Sequence, residues 1–229
     1  MEQQIELRPA HPENGYFVPA LAGARSARLI WAVGWRWCLA SMASVAVFAL
    51  SIWAMISIFA GRGFDTDSLD YWVVVLSVLG TGGATAGAIQ WLALRRFLPL
   101  SALWWPLASG GGVAAGMRIV TWVVNDLNSF RFHTLFGGLL RELTRQAVPF
   151  ALLGLIIGLA QWLVLRRRLR YAWLWAITMA LAVGASGALA EELDEAWRLP
   201  AAFAAYTIIC TLGMALLVRL QRDWTHAVD

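Results

Sequence analysis

The chain contains no lysine; its 18 basic residues are all arginine. A P-loop, which needs its lysine, is thereby excluded. Charge of either sign is scarce, at 14% of residues, against roughly 25% in a soluble domain. Histidine is limited to His11, His133 and His226, all outside the apolar stretches. That leaves no axial ligand for haem or chlorophyll at membrane depth. Cysteine is limited to Cys38 and Cys210, both in or at apolar stretches. Two such thiols make no disulfide framework and read as small buried hydrophobes. The sequence holds no H-E-x-x-H and no G-x-S-x-G, so zincin and serine-hydrolase chemistry have no carrier. These deficits exclude a soluble enzyme, a disordered chain, a collagen and a disulfide scaffold.

What fills the chain instead is apolar: 60% of its 229 residues, with a mean hydropathy of +0.64. A core cannot absorb that excess at this length, because most of the surface of a small domain still faces its solvent. An all-α integral membrane bundle follows. A spanning helix needs about 20 mainly apolar residues. Six stretches qualify: 37–60, 71–94, 101–124, 147–165, 171–190 and 200–218. None alternates apolar and polar residues as a barrel strand does. Pro200 opens the sixth, where its missing N–H costs little. Residues 1–36 form an N-terminal segment whose first 26 residues are expected to lack the features of a secretory signal. Its Leu21, Arg25, Arg28, Leu29, Trp31 and Trp35 are expected on an interfacial helix. Residues 37–220 form the transmembrane domain, and 221–229 a tail.

Charge sorts by loop. Loops 61–70, 125–146 and 191–199 carry nine carboxylates and five arginines. Twelve arginines lie on the opposite side: Arg8, Arg25, Arg28, Arg36, Arg95, Arg96, Arg166, Arg167, Arg168, Arg170, Arg219 and Arg222. The positive-inside rule places both termini in the cytoplasm, and an even number of spans agrees. The acidic group Glu191, Glu192, Asp194 and Glu195 lacks EF-hand spacing and reads as a solvated loop. Leu135, Phe136, Leu139, Leu140 and Leu143 recur at helical spacing, expected as a helix at the outer interface or packed on the bundle. Of fourteen tryptophans, Trp31, Trp35, Trp37, Trp72, Trp91, Trp104, Trp105, Trp162, Trp173, Trp175, Trp197 and Trp224 are expected to flank the spans, at the depth of an interfacial aromatic belt.

Shifting the chain by 71 residues aligns 83–116 with 154–187 without a gap, at 13 identities. The shared pattern is G-x3-G-x2-Q-W-L-x-L-R-R-x-L. Trp104 falls on Trp175 in this register. A fainter echo, without the Gln or Trp, follows Gly213. The simplest architecture is three tandem two-helix hairpins, parallel rather than inverted repeats. The G-x-x-Q-W-L-x-L-R-R repeat and the Trp-led span after it resemble a group of uncharacterised bacterial multi-pass membrane proteins. The resemblance covers about residues 71–190. It implies a helical membrane fold in the bacterial inner membrane and transfers no catalytic residue.

Gly83, Gly87 and Gln90 share one face of the second span, and Gly154, Gly158 and Gln161 one face of the fourth. Glycines four apart let helix backbones approach, and a glutamine there can hydrogen-bond across the contact. The same glutamines could instead grip a ligand's polar end. Arg118 is the one ionisable residue well inside a span. It is expected to snorkel outward to Asn125 or Asp126, or else to bind substrate or a lipid phosphate. The function expected is non-enzymatic: a structural or accessory subunit, or a lipid-contacting scaffold. Its partners are the lipid bilayer and other membrane subunits, not nucleic acid. The alternative is a small-solute transporter or channel using Gln90, Gln161, Thr81, Thr85, Ser109 and Arg118. No cofactor is indicated by any spacing.

Overall fold

The computed structural model describes residues 26–60, 68–95, 103–129, 138–192 and 195–228. Among these residues there are six α-helices and no strand: α1 Ser26–Phe59, α2 Leu69–Leu94, α3 Trp104–Ser129, α4 Gly138–Leu165, α5 Trp173–Glu192 and α6 Glu195–Val228. The second begins where the sequence supplies a cap. Ser68 accepts a hydrogen bond from the Tyr71 backbone N–H at 3.1 Å, and Asp70 lies in the first turn. A hydroxyl cap and a carboxylate at that end both favour helix initiation. The α4–α5 turn is short because its backbone closes on itself. Arg168 and Leu169 N–H both donate to Leu165 C=O, at 2.8 and 2.9 Å. Leu169 and Ala172 are buried beneath that turn, while Arg166 and Arg167 stay outside.

Each helix packs on its neighbours in sequence, and α6 returns to pack on α1. The helices thus form a closed ring. Its walls carry large exposed apolar side chains, among them Trp53, Ile56, Leu181 and Leu212. Such a surface suits hydrocarbon and not water. Among the described residues, five helices are long and apolar enough to cross a membrane: Val33–Phe59, Leu69–Leu94, Ala147–Leu165, Trp173–Ala190 and Trp197–Leu220. The chain is therefore a multi-span membrane protein. The third helix has 26 residues but falls below that apolarity. Ser109, the glycines at 110, 111, 112 and 116, and Arg118 dilute it. It nevertheless packs between α2 and α4 as a full member of the ring.

Four expectations change. The sixth helix does not start at Pro200 but at Glu195, with Pro200 inside it. The expected acidic loop 191–199 is mostly helix end: α5 runs through Glu192 and α6 resumes at Glu195. From Gly138 onward, the amphipathic stretch around Leu139 and Leu143 is the first part of α4, continuous with its span, rather than a separate interfacial helix. Trp37, Trp105 and Trp175 are not belt residues but core, at 1%, 0% and 0% exposure. The remainder of the N-terminal segment, residues 1–25, and the loop holding His133 lie outside the described residues.

Candidate functional site

The three buried tryptophans come from α1, α3 and α5 and belong to one apolar cluster. Trp37 meets Trp175 edge to face, with ring centroids 5.3 Å apart. Around Trp175 runs a directed chain of hydrogen bonds through three helices. The Trp175 indole N–H donates to Gln161 Oε1 at 2.7 Å. Gln161 Nε2 donates to Ser109 Oγ at 2.9 Å. The Ser109 hydroxyl donates to the Trp105 carbonyl at 3.0 Å. Every donor in that chain meets an acceptor, which a buried polar group requires where no water can replace it. Gln161 therefore ties α4 to both α3 and α5.

Gln90 has other partners. Its side chain lies beside the Tyr206 hydroxyl on α6, while its Oε1 is buried without a partner. Ser41 Oγ and the indole nitrogens of Trp37 and Trp105 are likewise buried and unpartnered. One turn away, Ser44 Oγ lies 3.1 Å from the Ala86 carbonyl and joins α1 to α2. At the far end of the ring Ser186 Oγ lies 2.9 Å from the Ala202 carbonyl and joins α5 to α6. Both are hydroxyl contacts across helix pairs, a use of serine frequent in membrane bundles.

The paired glycines lie where two backbones meet. A Cβ on Gly87 would stand 3.0 Å from the Pro106 Cα, and one on Gly158 would stand 2.7 Å from the Ala176 Cα. Gly83 faces Val113 and Gly110, and Gly154 faces Met179 and Val183. All four glycines thus serve helix contact, α2 against α3 and α4 against α5. The partners of Gly158 lie 70 residues beyond those of Gly87: Ala176 and Met179 against Pro106 and Ser109. Trp175 is then the counterpart of Trp105 and not of Trp104, which is 62% exposed. By these contacts α3 is offset from α5 by 70 residues, one fewer than in the gap-free alignment.

Arg118 lies away from this layer. Its guanidinium carbon sits 4.7 Å from the centroid of the Trp72 ring, near the start of α2. The side chain meets an aromatic face there. The side chains of Asn125 and Asp126, its expected partners, lie outside the described residues. Thr81 and Thr85 point outward. Thr85 Oγ1 donates to its own helix at the Thr81 carbonyl, and both line open grooves on either side of α2. The six polar residues weighed for a transport path are therefore spread out: Ser109 and Gln161 meet in the interior, Thr81 and Thr85 sit together on the outside of α2, and Arg118 lies against Trp72.

Arginines mark the opposite end. The Arg95 guanidinium lies 5.5 Å over Trp91, and that of Arg166 lies 5.3 Å over Trp162. Each covers the tryptophan one turn back on its own helix, so tryptophan and positive charge coincide there.

Sequence reasoning found Gln161 and Ser109 but missed Trp105 and Trp175 as the interior tryptophans. Burial is not written in residue type where lipid and core are both apolar. No protein-family model matches the chain, and no curated protein or solved structure is significantly similar to it.

Proposed function

We propose that the protein is a non-enzymatic subunit or lipid-contacting scaffold of a bacterial inner membrane, built from tandem two-helix units, with both termini in the cytoplasm. One observation carries this reading. The ring interior is spent on packing, with Trp37, Trp105 and Trp175 in its core and Gln161 satisfied on both sides by side chains. A path for solute needs polar groups facing water along its length. Here Ser44, Ser109, Gln161 and Ser186 tie helices to each other, and the broad unpaired surface is the apolar outer wall. Arg95, Arg166, Arg167 and Arg168 gather where α2 and α4 end; the positive-inside rule makes that end cytoplasmic. The unit structure rests on the similar contacts made by Gly87 and Gly158 and on the arginines that follow Gln90, Gln161 and Met214 by five residues.

The alternative, a small-solute transporter or channel, has one observation in its favour: the unpartnered Gln90 Oε1 and Ser41 Oγ in the interior. Gentle purification followed by native mass spectrometry tests the first reading. Retained lipid or a protein subunit supports it. A bare chain that carries solute across proteoliposomes at a rate above empty vesicles would overturn it.

A further inference from the structure

The third helix pair departs from the other two in its chemistry. Against Gly87, α3 places Ser109; against Gly158, α5 places Met179. Five residues before the arginine that ends the span, α2 and α4 carry Gln90 and Gln161, whereas α6 carries Met214 before Arg219. Where the first two pairs set oxygen and nitrogen, the third therefore sets two thioethers. A thiol joins them. Cys210 lies one turn before Met214 on the same face of α6, and its Sγ is 3.9 Å from Met179 Sδ. Exposure is 2% for Met179 and 0% for both Cys210 and Met214. The Tyr206 hydroxyl, one further turn back on the stripe, lies beside Cys210.

We propose that Met179, Cys210 and Met214 form a buried binding site for a soft monovalent cation, of which Cu(I) is the biological example. Three properties support this. Thiolate and thioether sulfur select soft d10 ions over Mg, Ca or Mn. At a metal–sulfur distance of about 2.3 Å, three sulfurs placed trigonally around one ion stand about 4 Å apart, close to the observed Sγ–Sδ separation. The charge also balances. As the metal–sulfur bond forms, the Cys210 thiol proton leaves for solvent, no electron is transferred, and a thiolate with a monovalent ion is neutral. A divalent ion would leave one net positive charge in an apolar interior, at a cost of several kcal/mol. The Tyr206 hydroxyl is placed to donate to the thiolate sulfur, as outer partners do at metal sites. The inference is independent of whether the protein is a scaffold or a transporter.

The test uses the full-length chain in detergent under reducing, oxygen-free conditions. Cu(I) is titrated against the chromophoric chelator bicinchoninate, with Ag(I) as a redox-inert second probe. One equivalent per chain is expected, with an all-sulfur first shell by X-ray absorption. Met179→Leu and Met214→Leu conserve volume and should each weaken binding by at least about tenfold, the lower bound seen even for outer-partner loss. Cys210→Ser should abolish it, and Cys38→Ser should leave it unchanged. If Cys210→Ser does not fold, the two methionine variants, with unaltered melting of their metal-free forms, decide alone. Absence of binding by the folded chain would overturn the site, as would binding that survives Cys210→Ser or both methionine changes, or that is lost with Cys38.

Discussion

The indole N–H of Trp175 on α5 donates to Gln161 Oε1 on α4 at 2.7 Å, with both side chains at 2% exposure or less. The same glutamine donates onward to Ser109 on α3. The corresponding glutamine on α2, Gln90, has an unpartnered Oε1. Two residues that look interchangeable in the sequence therefore hold different shares of the ring's stability.

Gln161→Leu should cost about 1–2 kcal/mol, because it strands the Trp175 N–H in an apolar interior. Gln90→Leu loses only the Tyr206 contact and should cost less than about 1 kcal/mol. Denaturant melting in detergent compares the two. Equal losses, or the larger loss at Gln90, would contradict the difference in partners.

Gly158→Ala should be strongly destabilising and Gly111→Ala should not. A Cβ at 158 meets the Ala176 backbone, whereas one at 111 meets nothing within 4 Å. Forcing α4 from α5 costs about 1–3 kcal/mol. At 111 the gain in helix propensity is up to about 1 kcal/mol. The same melting assay reads both, and a tolerated Gly158→Ala would show that the two backbones are not in contact.

Arg118 and Trp72 should be coupled. In a double-mutant cycle of Arg118→Gln and Trp72→Leu, the interaction free energy should be about 0.5–2 kcal/mol. Strict additivity would mean that the guanidinium does not rest on that ring.

The register of α3 is testable by exchanging neighbours. Trp105→Leu removes a fully buried indole and should cost about 2–4 kcal/mol. Trp104→Leu, on the exposed face, should change stability by less than about 0.5 kcal/mol. Reversed costs would restore the gap-free pairing of Trp104 with Trp175.

Much of the fold was legible because its signals are physical and local. Runs of about twenty apolar residues gave the spans, and Arg95, Arg96 and Arg166 through Arg168 marked where two of them end. Glycines four apart, with glutamine on the same face, marked packing faces on α2 and α4 but not the helices that meet them, α3 and α5. The rest was hidden for definable reasons. Trp105 and Trp104 are adjacent and identical in type, and one residue of difference in connection length decides which faces inward. Closure of α6 onto α1 is a contact between the chain's two extremes, and no local pattern encodes it. Met179, Cys210 and Met214 look like ordinary apolar filling until the fold brings α5 and α6 together. Arg118 stood out as the one charge inside a span, but its aromatic partner Trp72 stands on another helix.

The most direct measurement concerns water in the ring. Ser109→Cys is placed in a Cys38→Ser, Cys210→Ser background, reconstituted in liposomes open to both sides, and exposed to a membrane-impermeant thiol reagent. Arg167→Cys, on the exposed α4–α5 turn, serves as the reference. A dry, packed interior requires that the thiol at 109 stay unmodified while the one at 167 reacts to completion. Modification at 109 at a rate comparable to that at 167 would show a water-filled path through the helices and would contradict the scaffold reading.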